Sequence, residues 1–322
     1  MQWWIILIIV LAATLIIGSI LYAVTVRDLT KKYFTRHRFS ATTSKRNQKK
    51  IVAADNDYRE FMHAAVKSFS EVPFERMEVQ SVDGLKLVGR FYAAENADKT
   101  VICIHGYCGT GIHDMSAIAP VFLKNGVNVL LVDNRAHGES EGNVIGYGVL
   151  DSLDVTMWVN ALKTAHPVKH TFLYGISMGA ATAMMTAQYV RKNEVAGIIA
   201  DCGYTSIYEQ FRFMFRTLTP VPPVFIVPAI RRRAKKFAGY DIKLTDTREI
   251  LSKTDIPVMF IHGDADKFVP LSMTEQNCRA CASEHTLFEV RGAKHTQSYF
   301  CEKSEYERRV LVFTDDCIKS AV

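Results

Sequence analysis

Ser177 lies in Gly175-Ile176-Ser177-Met178-Gly179, after a short apolar run and before an alanine- and methionine-rich stretch. A serine between two glycines, at a strand-to-helix junction, has the context of a nucleophile elbow. The tight turn lifts the hydroxyl clear of a sheet and aims a helix N-terminus at developing negative charge. A serine hydroxyl is a weak nucleophile until an imidazole takes its proton, so a histidine must lie nearby in space. Ligands in open α/β sheets bind beyond the carboxyl ends of the strands, so that histidine should follow a strand. His295, in Gly292-Ala293-Lys294-His295, meets this condition. His285 precedes the same strand, His166 and His170 flank a helix-to-strand connection, and His37 and His63 lie outside the sheet region. The carboxylate that orients the imidazole is sought by the same rule. Asp264 and Asp266 both follow one strand, Asp201 follows the preceding one, and Asp255 comes before its strand and is excluded. Position alone leaves Asp264 and Asp266 open. An oxyanion hole needs two backbone N–H donors. Met178, directly after the serine, is expected to supply one, and Tyr107, in His105-Gly106-Tyr107-Cys108-Gly109, the other. His105 is expected to pack beneath that loop.

Residues so far apart in sequence need a large scaffold. The 322-residue chain, 48% hydrophobic and 22% charged, has room for one large α/β domain plus an appendage. Apolar, β-branched runs predict strands at 78–82, 87–92, 101–104, 127–132, 171–174, 197–200, 258–261 and 286–290. Helical patterns fall at 55–69, 114–124, 149–164, 178–192, 272–282 and 302–318. The alternation is that of a mostly parallel, doubly wound sheet, opened by a hairpin through Asp83-Gly84. Residues 204–250 break the rhythm with Pro220, Pro222, Pro223 and Pro228 among Phe211, Phe213, Phe215, Phe225 and Ile226. An insertion of that length is expected to form a cap over the site.

Residues 3–26 carry no charged side chain and are long enough to span a bilayer, which takes roughly 20 apolar residues. No basic leader precedes them and no small-residue cleavage motif follows, so an uncleaved anchor is expected. Residues 27–50 then hold nine lysines and arginines against Asp28 alone, while the whole chain is +6. The excess charge therefore belongs to the flank of the span. It fits a topology signal or attraction to anionic lipid, with the folded part in the cytoplasm, and not nucleic-acid binding. The chain thus divides into an anchor (1–26), a basic juxtamembrane linker (27–54) and a domain (55–322). Seven cysteines, at 103, 108, 202, 278, 281, 301 and 317, form no disulfide framework and fit a reducing compartment. Cys278-x-x-Cys281 lacks the second pair a zinc site needs and reads as packing.

His105-Gly106-Tyr107, the run from Asp133 to Ser140 (Asp-Asn-Arg-Ala-His-Gly-Glu-Ser), the serine pentapeptide, His262-Gly263-Asp264-Ala265-Asp266 and the late His295 together resemble the α/β-hydrolase superfamily. More narrowly they are similar to bacterial membrane-anchored members of its serine aminopeptidase and monoacylglycerol lipase-like branch. The resemblance spans residues 75–318 and implies the α/β-hydrolase fold. It also implies Asp266 as the acid, since the branch uses the last residue of His-Gly-x-x-Asp, and a bracing role for His137. Lys294 departs from the usual glycine before the histidine. The expected activity is carboxylic ester hydrolysis of a small-molecule acyl substrate through an acyl-enzyme on Ser177, with no metal or organic cofactor. Amide hydrolysis of the aminopeptidase kind is the alternative, and a non-catalytic binding module a more distant one.

Overall fold

The protein is described from a computed structural model covering residues 2–36, 56–218 and 222–319. Eight strands form one sheet in the order β1-β2-β4-β3-β5-β6-β7-β8. The strands β1 (Glu75–Gln80) and β2 (Lys86–Tyr92) are joined as a hairpin, and β2 pairs antiparallel with β4 (Val127–Val132). From there β4, β3 (Lys99–Ile104), β5 (His170–Ile176), β6 (Gly197–Asp201), β7 (Val258–Gly263) and β8 (His285–Val290) run parallel. The inner parallel strands are apolar throughout because both faces are covered. Successive side chains alternate between faces, so Val101 and Cys103 enter one core layer and Ile102 and Ile104 the other.

One layer is closed by α2 (Asn56–Phe69), α3 (Gly111–Met115), α4 (Ala119–Lys124) and α12 (Lys303–Lys319). The opposite layer is closed by α5 (Asp151–Ala165), α6 (Met178–Thr186), α9 (Thr247–Leu251) and α10 (Leu271–Ala280). A four-residue turn of helix, α11 (Ser298–Cys301), precedes α12. The helix expected at 114–124 is two pieces. Pro120 has no N–H to donate and clashes with a preceding turn, so it opens α4 instead of continuing α3. The helix expected at 178–192 stops at Thr186, where Gln188 and Tyr189 turn back by bonding their N–H groups to Met185 and Thr186 carbonyls.

Residues 204–250 contain α7 (Ile207–Leu218) and α8 (Pro223–Ala238), with α9 beginning at Thr247. These helices build a third apolar cluster with Tyr147, Met178, Val269 and α1 (Trp3–Phe34). The 32-residue α1 is long and apolar enough to cross a membrane. It does not stop at Val26, where the sequence was expected to pass into a linker. The helix runs eight residues further because Val26, Thr30 and Phe34, one turn apart, are buried against the domain while Arg27, Lys31 and Lys32 face solvent. After it, Thr35 bridges Val144, Ile145 N–H bonds Phe34 O at 3.0 Å, and the Arg36 guanidinium donates to Ser140 O and Gly138 O at 2.6 Å. The remainder of the expected linker, from residue 37, lies outside the described residues, as does His37.

Candidate active site

Ser177 follows β5 and caps α6 with φ +56° and ψ −114°, a backbone conformation that strains any residue with a side chain. The flanking glycines make that turn possible. A Cβ on Gly179 would stand 1.9 Å from Ile104 O, and one on Gly175 would stand 2.2 Å from Gly179 O. Ser177 N–H is tied to Asp201 O at 2.8 Å, so the turn is held from the neighbouring strand as well.

The serine hydroxyl lies 2.8 Å from His295 Nε2, and His295 Nδ1 lies 2.6 Å from Asp266 Oδ2. All three side chains are buried. Two loops beyond β7 and β8 bring the last pair together. Gly263 passes so close to Ala293 that a Cβ there would meet Ala293 O at 2.1 Å, and Ala265 N–H bonds the same oxygen at 3.1 Å. Asp266 Oδ1 accepts the N–H groups of Phe268 (2.8 Å) and Val269 (3.0 Å). Burial alone would raise the Asp266 pKa, but the His295 and His262 imidazoles outweigh it and hold the carboxyl well below its ordinary range.

The other two acids are placed elsewhere. Asp264 is exposed and accepts Gly292 N–H at 2.6 Å, which locks the loop carrying His295. Asp201 is buried and accepts from Ser298 Oγ (3.1 Å) and Tyr306 OH (2.9 Å), with Tyr174 OH 2.7 Å further along. Desolvation dominates there and pushes its pKa up to about 6. Among the other histidines, His285 is exposed against Ser283 O, and His166 pairs with Glu75 at 3.2 Å and stacks on Phe91, far from the serine.

The loop after β3 abuts the Ser177 turn: a Cβ on Gly106 would sit 3.5 Å from Ser177 Cβ. Met178 opens α6 directly after Ser177, and Tyr107 lies beside it in the third apolar cluster. His105 is fully buried, with Nδ1 2.7 Å from Gly106 O and Nε2 accepting Asn134 N–H at 3.0 Å. His137 Nε2 accepts Cys108 N–H at 3.3 Å. Both imidazoles brace the loop from below. The Tyr107 ring stacks on Tyr147 at 5.5 Å, and the Tyr147 hydroxyl donates to Tyr33 O of α1 at 2.7 Å.

His262 escaped the sequence reading. Its Nε2 lies 3.0 Å from Val269 O and 3.3 Å from Asp266 Oδ2, and Nδ1 is 2.6 Å from Thr274 Oγ1, so it stiffens the loop that carries Asp266. Its place at the carboxyl end of β7 was the available signal. Phe268, which packs on the His295 ring at 4.9 Å, carried no such signal. Cys202, Asp266 and His295 offer donor atoms within 4.8 Å of one another, a set that can in principle grip a metal ion. The imidazole and carboxylate atoms are already bonded to each other, and burial keeps the Cys202 thiol pKa well above its ordinary value, so the set suits proton transfer better. A separate cavity of about 280 Å³ between α7 and α10 is walled by Arg212, Arg216 and Arg248 and includes none of Ser177, Asp266 or His295.

Residues 95–237 match the family model described as serine aminopeptidase, S33. The uncharacterised Bacillus subtilis protein YqkD is 28% identical over 79% of this chain and 83% of its own length. The uncharacterised Saccharomyces cerevisiae membrane protein YNL320W is 22% identical over 70% and 75% respectively. Among solved structures, the Pyrococcus furiosus esterase Pf2001 superposes with a TM-score of 0.61 at 25% identity, covering 78% of this chain and 92% of the esterase. With the sheet order and the elbow already in place, these likenesses make the chain a hydrolase of the α/β-hydrolase superfamily.

Proposed function

We propose that the chain is a serine hydrolase that cleaves carboxylic esters through an acyl-enzyme on Ser177. The observation that carries this reading is the continuous path of hydrogen bonds from the Ser177 hydroxyl through His295 to Asp266, at 2.8 and 2.6 Å, in a turn whose serine is strained. His295 Nε2 takes the hydroxyl proton as Oγ bonds to the acyl carbon, then returns it to the departing alcohol. Asp266 stabilises the imidazolium and fixes its tautomer. The N–H groups of Tyr107 and Met178 receive the oxyanion. Water activated by the same imidazole then releases the acid and restores the serine. The substrate is a small-molecule ester, and no cofactor takes part in any step.

Purified full-length protein should turn over aryl esters and be labelled at Ser177 by a fluorophosphonate. Ser177→Ala should lower turnover by on the order of 10⁴-fold or more and abolish labelling. Unchanged turnover in that variant overturns the assignment of the nucleophile. The aminopeptidase description of the matching family model favours a second reading, amide hydrolysis by the same residues. A panel of aminoacyl amides against esters of graded acyl length decides between them, and a preference for amides displaces the ester reading.

We also infer that α1 stays attached as a single-pass anchor with the hydrolase body in the cytoplasm. The apolar part itself touches the domain, with Val26 buried and the Tyr22 hydroxyl donating to Phe225 O at 2.6 Å, contacts that removal of the segment as a signal sequence would break. The basic residues after Val26 support an inward orientation of that side. Cysteine-labelling reagents applied to intact cells should therefore miss the exposed Cys301.

A further inference from the structure

Two adjacent apolar residues at the start of α8 are exposed, set apart from the exposed Phe237 and Leu244 at the other end of the cap. Val224 is 69% and Phe225 65% exposed, although the helix next turns its apolar residues Ile226, Val227 and Ile230 inward. The Tyr22 hydroxyl donates to Phe225 O at 2.6 Å, and Tyr22 belongs to the uncharged stretch of α1, five residues before Arg27. Further along, the Phe34 ring meets Tyr240, just past the end of α8, at 6.3 Å. Two contacts in the same order along both helices make α1 and α8 parallel neighbours.

Their charge patterns then change together. On α1 the first basic residue, Arg27, comes about 7.5 Å beyond Tyr22. On α8 the exposed basic run Arg232, Arg233, Lys235 and Lys236 begins about 10 Å beyond Phe225. Both helices thus pass from apolar to cationic at nearly the same height, as neighbours emerging through one interface would, with apolar side chains among acyl chains and cations at the headgroups.

We propose that the tip of the cap, Val224 and Phe225, is immersed in the leaflet through which α1 leaves the bilayer. The occupant of this apolar surface is lipid. The proposal rests on the reading of α1 as a spanning anchor. It adds a second point of membrane contact, which clamps the cap, and the apolar cluster shared with Met178, against the membrane surface.

Depth-dependent quenching in nanodiscs of mixed neutral and anionic phospholipid tests this on the full chain. Trp3 and Trp4 are replaced by Phe, and the buried Trp158 is kept as a constant background. Phe225→Trp, and in a second protein Val224→Trp, report on the tip, while Val82→Trp in the β1–β2 turn, 70% exposed, is the solvent control. Lipids brominated along the acyl chain should quench both tip variants and not the control, and aqueous acrylamide should quench the tip at least about threefold less efficiently than the control. A disc-bound chain whose tip variants are quenched by acrylamide like the control overturns the proposal and leaves the anchor standing. Shielding from acrylamide without bromine quenching overturns it too, since another protein copy would then cover the tip. A chain that fails to enter discs, or washes off at alkaline pH, overturns the anchor and the proposal together.

Discussion

The rim of the sheet and the shell above it are held by different forces. At the rim, atoms are placed by the backbone: Gly175, Gly179 and Gly263 allow main chains to approach where no Cβ fits, and Asp266 is gripped by two N–H groups. In the shell, α1 and α7 meet through rings, with Phe34 5.3 Å from Tyr147 and 5.7 Å from Phe211, and Tyr33 5.6 Å from Phe211. A rim built by the backbone keeps its shape when one side chain is trimmed, so rim substitutions should remove chemistry and spare stability. A shell built by side chains should show the reverse.

Asp266→Asn sets the upper end of that contrast. It keeps the shape of the side chain but removes the charge facing His295, and kcat should fall by about 10⁴-fold. Stability should fall only by what the ionised carboxyl gains from His295 and His262, a difference that vanishes as the pH is lowered. A large loss of stability with modest loss of rate would erase the distinction. Phe34→Ala is the shell counterpart. Truncating a fully buried ring should destabilise the fold by about 3–5 kcal/mol, read by denaturant titration, with the rate of fluorophosphonate labelling of folded protein unchanged.

Asp201 tests the rim from beneath. Its pKa is raised to about 6 by burial, so the stability it contributes is fully present below the unfolded value near 4 and is lost as pH climbs through 6. Relative to Asp201→Asn, the native protein should lose about 3 kcal/mol of unfolding free energy between about pH 4 and pH 7. A flat difference across that range would mean the carboxyl is charged throughout. Tyr147→Phe is the mildest probe. It deletes the hydroxyl bonded to Tyr33 O but keeps the ring stacked on Tyr107, and should cost about 1 kcal/mol.

The same division explains what sequence could reveal. Positions controlled by the backbone leave local signatures: the glycines around Ser177, the Gly263 turn before Asp266, and the rule that ligands sit after strands. From these the fold, the approach of Ser177 and His295 to an acid in the loop that ends β7, and the set-aside positions of His285 and His166 could be read. Choosing Asp266 over Asp264 took a family resemblance, because both follow the same strand and only the turn decides which one points inward. Packing between distant segments leaves fainter marks. Val26, Thr30 and Phe34 recur every fourth residue, a stripe that foretells a buried helix face. The first charged residue, Arg27, masked it, and the helix was expected to end there. Pro120 similarly marked the start of α4 within a stretch whose apolar spacing looked continuous.

The unbroken helix from the apolar segment into the body decides where this protein can be cut. A chain begun after the basic stretch would open a trough once filled by Phe34 and Thr30, leave Ile145 N–H and the carbonyls of Gly138 and Ser140 without their present partners, and invite aggregation through the bared rings. Starting at Arg27 keeps all of those contacts and discards the greasy part. A water-soluble version therefore needs the last two turns of its own anchor.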